Sequence, residues 1–248
     1  MTVAAAADPR TLALGGGLVP AVERLVGRLS SVGDRPFFDE ASFPWVRRIE
    51  SFYPAIRGEM LDLLKHQEAI PGFEQISTDQ RKLSNDRRWK TFFFLGYGLR
   101  FEDNIARCPA TWAAVSEIPG LTTAFFSVLE PGKRLPPHRG PYKGVLRYHL
   151  AIAIPGNGDA CGIEVAGEQR RWTEGRSLIF DDTFMHSAWN DSSERRVVLF
   201  VDFARPLRFP VNLINRAILK LISRSGYVQE AKLNYRQWKM MQQAAAGR

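Results

Sequence analysis

Short runs of β-forming residues, separated by turn-forming residues, fill this chain from about residue 122 to residue 203. The runs are rich in Val, Ile, Leu, Phe and Thr, and Gly, Pro, Asn and Asp stand between them. They cover residues 122–129, 145–154, 161–165, 169–172, 177–180 and 196–203. Many short strands at such spacing are typical of a β-sandwich or β-barrel. The sequence therefore predicts a mainly β core in this part of the chain.

Segments with helical periodicity flank this β region. Apolar residues recur every three or four positions over 18–29 and 49–66, and a shorter helix is predicted over 108–118. The aromatic run 89–95 is strand-like, whereas the prolines at 36 and 44 favour extended or turning chain over 34–44. We expect an N-terminal tail with a short helix, a domain with a helical lead-in and a β core, and a C-terminal helical extension. Their ranges are 1–33, 34–206 (divided into 34–120 and 121–206) and 207–248.

The composition indicates a folded protein with an anionic partner. Of the 248 residues, 45% are apolar and 11% are aromatic, which is enough for a sizeable core. The formal net charge of +8 favours membrane phospholipid, nucleic acid or an acidic small molecule as a partner. The basic residues form no recognised nucleic-acid-binding motif, so we expect no nucleic-acid partner.

Cysteine usage and hydropathy indicate the compartment. Cys108 and Cys161 provide neither a disulfide framework nor zinc-finger spacing, and a reducing, cytoplasmic setting is the simplest fit. Residues 1–7 lack the positive region and the long apolar core of a secretory signal. No apolar run approaches the ~20 residues of a spanning helix. We expect a cytoplasmic protein and leave open a peripheral contact with the inner membrane surface.

The segment 211–224 has the pattern of an amphipathic helix. One predicted face is apolar and the other is polar and basic. The apolar face holds Val211, Ile214, Ala217, Ile218, Leu221 and Ile222, and the basic face holds Asn212, Arg216, Lys220 and Arg224. Such a helix either packs its apolar stripe on the core with a solvated basic face or lies on anionic lipid. The sequence leaves both interpretations open.

Three of the four histidines, His138, His149 and His186, fall in the β region close to arginines. Neutral imidazoles are common metal ligands, and arginine forks bind carboxylates. His138 and His186 are too far apart in the sequence for one helix, and each adjoins a turn at the end of a strand, where small-molecule sites often form in barrels. Arg196 begins an apolar strand, where an unpaired charge would be costly. These residues predict a metal site that also binds a dicarboxylic acid.

Several blocks of this region resemble the aspartyl/asparaginyl β-hydroxylase family. The blocks are His-Arg-Gly-Pro-Tyr at 138–142, Leu-Arg-Tyr-His-Leu at 146–150, Trp-Thr-Glu-Gly at 172–175, Phe-Asp-Asp-Thr-Phe-Met-His at 180–186, and the run 196–202. The resemblance covers about residues 85–206 with order and spacing preserved. It implies an iron(II)- and 2-oxoglutarate-dependent dioxygenase, which uses O2. It also implies a double-stranded β-helix, the jelly-roll or cupin-like fold, with flanking N- and C-terminal helices.

The resemblance implies a metal site with two protein ligands. His138 and His186 match the iron ligands of the family, and Asp182 matches a carboxylate that orients a ligand or an iron-bound water. Most iron oxygenases of this fold add a carboxylate ligand two residues after the first histidine. That position is Gly140 here, as in the two-histidine sites that occur within this family.

The resemblance also implies a pocket for the co-substrate. Arg196 matches the arginine that holds the distal carboxylate of 2-oxoglutarate, with Ser127 beside it. Arg147 and His149 match residues near its metal-binding end, and Trp89 aligns with an aromatic residue that lines the same pocket. The pocket therefore joins residues from well-separated parts of the chain.

Three functions follow as alternatives. Segments 35–39, 43–44, 89–90 and 131–139 resemble the bacterial branch that places a 2-hydroxyl on the acyl chains of lipid A or ornithine lipids. The ornithine-lipid type fits better, because the lipid A members usually have spanning segments. A hydroxylase of an aspartyl, asparaginyl or other amino-acid substrate is the second alternative. The third is a non-catalytic metal-binding protein with a degenerate site, which Gly140 keeps open.

Overall fold

Strands form the centre of the molecule. The computed structural model describes residues 18–65, 70–156 and 160–246. The strands found there are β1 (Phe37–Phe38), β2 (Trp89–Gly96), β3 (Leu99–Arg100), β4 (Leu121–Leu129), β5 (Arg134–His138), β6 (Val145–Ala153), β7 (Cys161–Val165), β8 (Glu168–Arg170), β9 (Ser177–Phe180), β10 (His186–Asn190) and β11 (Arg196–Ala204). The helices are α1 (Leu18–Arg28), α2 (Val46–Ser51), α3 (Tyr53–Leu64), α4 (Phe73–Ile76), α5 (Glu102–Arg107), α6 (Pro109–Val115), α7 (Val211–Ile222) and α8 (Gly226–Ala246), with short 3-10 turns at Glu40–Ser42 and Thr78–Lys82.

The described strands form two antiparallel sheets. The larger has the order β1-β9-β6-β11-β4-β2-β3, and the smaller has the order β5-β10-β7-β8. Apolar side chains of both sheets, including Leu129 and Val198 of the larger and Ile163 of the smaller, share one buried cluster. Two antiparallel sheets packed face to face, with strands that are adjacent in sequence divided between them, confirm the predicted jelly-roll core.

Strand β11 shows how the larger sheet divides its two faces. Val197, Leu199, Val201 and Phe203 enter the main apolar cluster, whereas the alternate residues, among them Arg196, point toward the smaller sheet. β4 and β6 flank β11 and follow the same alternation. The outer face of the sheet therefore packs into the main apolar cluster, while the inner face also holds polar side chains such as Arg196.

Helices cover the outer face of the larger sheet. Their buried residues share one apolar cluster with the outward-facing residues of the strands; they are Val46 and Ile49 of α2, Ile56, Met60 and Leu63 of α3, Ile105 of α5, and Ala114 and Val115 of α6. The molecule thus has a helix layer, a large sheet and a small sheet. Part of the predicted helical lead-in, residues 34–120, forms this helix layer, but the same range also contributes strands β1, β2 and β3. The β core therefore extends beyond the expected range 121–206.

Most predicted elements are present near their predicted bounds, and one helix is interrupted. The helix expected over 49–66 is replaced by α2 and α3, which meet at Phe52. Pro54 lies in the first turn of α3, where its missing N–H costs no hydrogen bond. His66 lies outside the described residues.

Strands β5 and β10 are absent from the sequence-based prediction, although they carry the two metal-ligand candidates. β5 contains Pro136 and Pro137, and proline cannot donate to a strand ladder. It is tolerated because β5 lies at the edge of the smaller sheet and pairs only with β10. His138 and His186 are therefore strand residues, where the sequence predicted turns at strand ends.

The C-terminal extension consists of two helices, α7 and α8. The buried residues of α7 are Val211, Asn215 and Leu219. Of the apolar face predicted for this segment, Val211 is buried, whereas Ile214 and Leu221 are exposed, so this face packs on the core only in part. The helix is turned this way because Asn215 donates through Nδ2 to the carbonyl of Gly144, at 2.8 Å. None of the described helices is both long enough and apolar enough to cross a bilayer.

The main apolar cluster should dominate stability. Phe126 is fully buried in it, so Phe126→Ala is expected to lower the free energy of unfolding by about 3–5 kcal/mol. Met240→Ala, at an exposed position of α8, should change it by no more than about 0.5 kcal/mol. Urea denaturation measures both. Similar losses in the two variants would show that this cluster does not control folding.

Candidate active site

His138 and His186 lie directly opposite each other on neighbouring strands. His138 ends β5, His186 begins β10, and the antiparallel register pairs them. Their ring centroids are 4.1 Å apart. Opposed residues of an antiparallel pair project from the same face of the sheet. Two side chains that are distant in the sequence thus present their imidazoles to one place.

The backbone holds one nitrogen of each imidazole. Nδ1 of His138 lies 2.8 Å from the carbonyl oxygen of Pro136, and Nδ1 of His186 lies 3.0 Å from that of Phe184. Because a carbonyl only accepts, each Nδ1 carries the proton and each Nε2 keeps its lone pair. Burial lowers the pKa of His138 to about 4 and that of His186 to about 2. Both rings are therefore neutral at pH 7, the form that binds metals.

Gly140 and Asp182 share the space beside the two histidines. A Cβ at position 140 would lie 2.1 Å from Oδ2 of Asp182. The Gly140 N–H also donates to the carbonyl of Asp182 at 2.6 Å, which ties together the segments that carry the histidines. The glycine is thus required by the carboxylate of Asp182, which fills the space that a side chain at position 140 would enter.

Arg147 holds Asp182 in this position. Its Nε donates to Asp202 at 2.8 Å, and its Nη2 lies 2.8 Å from Oδ2 of Asp182. Burial raises the pKa of Asp182 to about 6, and the neighbouring Arg147 guanidinium opposes this rise. Oδ1 of Asp182 is buried and has no hydrogen-bond partner among the described residues. Arg147 therefore orients a carboxylate that retains one free acceptor atom.

Arg196 is a buried cation with no counter-charge among the described residues. Only 2% of its surface is exposed, and its Nε and Nη1 have no hydrogen-bond partner within the described residues. The guanidinium lies over the ring of Trp172, 4.8 Å from its centroid. Burial lowers the pKa of Arg196 to about 10, which leaves it charged at pH 7. Burying an unpaired charge is costly, so this arrangement fits a site for a carboxylate ligand.

His149 connects the region of Arg196 with that of the histidine pair. Its ring stacks on Trp172, with centroids 6.0 Å apart, and meets Phe180 edge-on at 5.1 Å. Phe180 in turn contacts His186 at 5.9 Å. Burial lowers the pKa of His149 well below its ordinary value. Neither ring nitrogen has a partner among the described residues, so neutral His149 offers one donor and one acceptor.

Trp89 and Ser127 lie on adjacent strands of the inner face. Nε1 of Trp89 donates to Oγ of Ser127 at 3.0 Å, and Phe73 packs edge-on against the Trp89 ring at 4.7 Å. The Ser127 hydroxyl accepts from Trp89, so its own proton can be donated to another group. Both residues face the smaller sheet.

A buried charge cluster supports the segment before His186. The Asp181 carboxylate accepts from the backbone N–H of Thr183 at 3.0 Å and from Arg205, and it lies 3.1 Å from Nζ of Lys143. Lys143 also pairs with Asp34 at 2.8 Å. Side chains from four separate parts of the chain thus fix the loop that positions His186.

Sequence reasoning did not identify three contributors to the site. Trp172 stacks on both Arg196 and His149, Asp202 holds Arg147, and Phe180 separates His149 from His186. Trp172 and Phe180 stand in the blocks that carry the family resemblance, which was the available signal. Asp202 alternates with apolar residues along β11, and its inward direction could be read from that period of two.

The donor set fits a metal ion with two protein ligands. Within 18–65, 70–156 and 160–246, no group of three or more His, Cys, Asp or Glu side chains could hold a metal ion. The Nε2 of His186 is buried without a hydrogen-bond partner in that part of the chain. Buried polar atoms are normally satisfied. The unsatisfied atoms of His186, His149, Asp182 and Arg196 therefore mark a site built for a ligand.

The sequence matches a known family over most of this domain. Residues 50–206 match the family model described as aspartyl/asparaginyl beta-hydroxylase. An ornithine lipid ester-linked acyl 2-hydroxylase of Rhizobium tropici is 48% identical over 221 residues, 89% of this chain and 79% of that protein. The human aspartyl/asparaginyl beta-hydroxylase is 31% identical over 166 residues, 65% of this chain but only 21% of its own length.

Among solved structures, a cupin 2 conserved barrel domain protein from Salinispora arenicola aligns with 56% of this chain and 92% of its own, at a TM-score of 0.33 and 14% identity. The jelly-roll assignment rests on the strand order given above. The match over residues 50–206 and the 48% identity both identify the family. This chain belongs to the aspartyl/asparaginyl β-hydroxylase family and is a hydroxylase-family enzyme.

Proposed function

We propose that this chain is an iron(II)- and 2-oxoglutarate-dependent dioxygenase that hydroxylates the acyl chain of a membrane lipid of the ornithine-lipid type. The observation that carries the proposal is Arg196, a buried and unpaired guanidinium on the same inner face as His149 and opposite the pair His138 and His186. A cation held there without a counter-charge calls for an anionic ligand beside the metal-binding pair.

The metal would be held by Nε2 of His138 and Nε2 of His186. Their Nδ1 atoms are engaged by the backbone, so ring orientation and tautomer are set before any metal binds. Asp182 would accept a hydrogen bond through Oδ1 from a ligand or water at the metal. The degenerate-site alternative loses its main support, because Gly140 makes room for a carboxylate that is present.

The co-substrate would lie between the histidine pair and Arg196. Arg196 would bind its distal carboxylate with two parallel hydrogen bonds, and the Ser127 hydroxyl could donate a third. Phe180 and Trp172 would exclude water from its sides, which strengthens these charge-assisted bonds. When bound, iron(II), 2-oxoglutarate and O2 supply the oxidising power that hydroxylates an unactivated C–H bond.

The lipid substrate is supported by the Rhizobium tropici relative, which covers 89% of this chain at 48% identity. The human relative is less similar, at 31% identity over 65% of this chain. The exposed apolar side chain of Met185 directly precedes His186, which suits an acyl chain better than a charged peptide. Hydroxylation of an aspartyl or asparaginyl residue is the competing outcome of the test below.

His186→Ala should abolish both iron binding and turnover. The wild type with Fe(II) and O2 is expected to convert 2-oxoglutarate to succinate in the presence of an ornithine lipid, and mass spectrometry should find one added oxygen in the lipid. Met185→Ala, one residue away and exposed, should bind iron like the wild type. An iron-loaded wild type without turnover on lipid but with turnover on aspartyl peptides would replace the lipid by an amino-acid substrate. No turnover on either would end the dioxygenase proposal.

Arg196→Met should weaken 2-oxoglutarate binding at least about 30-fold, the factor that corresponds to about 2 kcal/mol for a truncated buried charge pair. Without ligand, the variant should unfold at a temperature no lower than the wild type, because it removes an unpaired buried charge. Calorimetric titration and thermal melts measure the two effects. Equal 2-oxoglutarate affinity in both proteins, or a large loss of stability without ligand, would make Arg196 a structural residue.

Gly140→Ala should lower iron affinity about 10- to 100-fold, the usual range for groups that support metal ligands, because the new Cβ displaces Asp182. Asp182→Ala is expected to have a similar effect. The double variant should be no worse than either single one, since both changes act on the same carboxylate. Iron titration under nitrogen checks this, and additive losses would show that Gly140 has another role.

A further inference from the structure

Helix α7 and the residue pair before it expose an apolar surface. Phe209, Leu213, Ile214 and Leu221 keep between 51% and 77% of their surface exposed. Seven positions are about two helical turns, so Leu221 lies on the same side of the helix as the neighbouring pair Leu213 and Ile214. Single exposed apolar residues need no explanation, but a contiguous group of large ones marks an interaction surface.

Basic residues surround this apolar group. Arg208, Arg216, Lys220 and Arg224 are exposed, and none of them forms an ion pair with a carboxylate in the described part of the chain. The sequence contains no Asp or Glu between Asp202 and Glu230. The surface therefore combines an apolar group with a cationic rim formed by these four residues, which complements an anionic layer with an apolar interior.

The opposite side of α7 is tied to the active-site segment. Oδ1 of Asn215 accepts from the Tyr142 hydroxyl at 2.7 Å, and its Nδ2 donates to the carbonyl of Gly144 at 2.8 Å. Tyr142 and Gly144 belong to the segment that follows His138 and Gly140. A partner bound to the outer side of α7 is therefore held at a fixed position relative to the candidate metal site.

The length and charge of α7 decide which partner fits. With 12 residues, it is about 18 Å long, too short to span a bilayer but sufficient to lie in its interface. A second copy of this chain fits poorly, because a two-fold interface would bring two cationic rims together. A bilayer of anionic lipid satisfies both the apolar group and its rim.

We propose that Phe209 and the outer side of α7 dock this protein on an anionic bilayer, with the helix flat in the headgroup region. Phe209, Leu213, Ile214 and Leu221 enter the acyl boundary, and Arg208, Arg216, Lys220 and Arg224 contact lipid phosphates. Through Asn215, docking holds the segment that follows His138 at a fixed position relative to the membrane surface. The exposure and charge of this surface do not depend on the reaction proposed above.

Vesicle co-sedimentation tests the docking without any turnover. The full-length protein should bind phosphatidylcholine vesicles that contain phosphatidylglycerol, but not phosphatidylcholine alone. Binding should weaken as salt rises, since the Debye length falls from about 10 Å at 0.1 M to about 3 Å at 1 M. The double variant Leu213→Glu/Ile214→Glu should bind at least about tenfold more weakly than the wild type.

A matched double variant separates this surface from the overall charge. Leu233→Glu/Met240→Glu makes the same charge change at positions of α8 that are 57% and 60% exposed, and it should bind almost as well as the wild type. A fluorophore on Leu221→Cys should report an apolar environment on anionic vesicles, whereas one on Leu233→Cys should not. Labelling is selective because Cys108 and Cys161 are buried.

Three results would overturn the proposal. The first is the absence of binding to anionic vesicles, and the second is equal weakening of binding by the two double variants. The third is self-association of the wild type in lipid-free buffer that is lost in the Leu213→Glu/Ile214→Glu variant, without vesicle binding, which would assign the surface to a second copy. Failure of hydroxylation with intact vesicle binding would contradict only the proposed reaction.

Discussion

The pairing of β11 with both β4 and β6 is the constraint on which the rest of the structure depends. It fixes the register of the three central strands of the larger sheet. Because side chains alternate along a strand, that register sends Val197, Leu199 and Val201 to the helices and Arg196 toward the smaller sheet. A slip by one residue would exchange the two faces and bury the wrong set against the helices. The candidate site exists because the outer face makes this register the stable one.

The inner face carries polar groups that the fold alone does not satisfy. His149, Asp182, His186 and Arg196 each have buried atoms without partners among the described residues. Each such atom costs free energy in the folded state. The large apolar clusters offset this cost, and a metal ion and an anionic co-substrate would remove it. The chain thus combines a well-packed scaffold with a site that is complete only with its ligands.

The site residues that could be predicted are those whose residue type and immediate sequence neighbours already indicate a ligand. His138, His186 and Arg196 could be recognised because imidazoles next to turns and a charge inside an apolar strand are informative in any context. Trp172 and Asp202 were not identified, because their roles arise from contacts with Arg196 and Arg147 across strands, although the family blocks and the alternation along β11 offered a signal for each. Strand β5 was not predicted because it contains two prolines, which strands tolerate only at a sheet edge. The buried side of α7 differs from the predicted apolar face because Asn215, a polar residue, faces inward together with Val211 and Leu219.

Residue type, order and alternation were enough to predict the mainly β fold, the family and the metal-ligand candidates. Three features are visible only in the folded structure: His138 faces His186, Asp182 fills the space left by Gly140, and one particular side of α7 meets the solvent. They depend on strand register and long-range hydrogen bonds, which join residues that are far apart in the chain. No local pattern records which of these contacts the folded state selects.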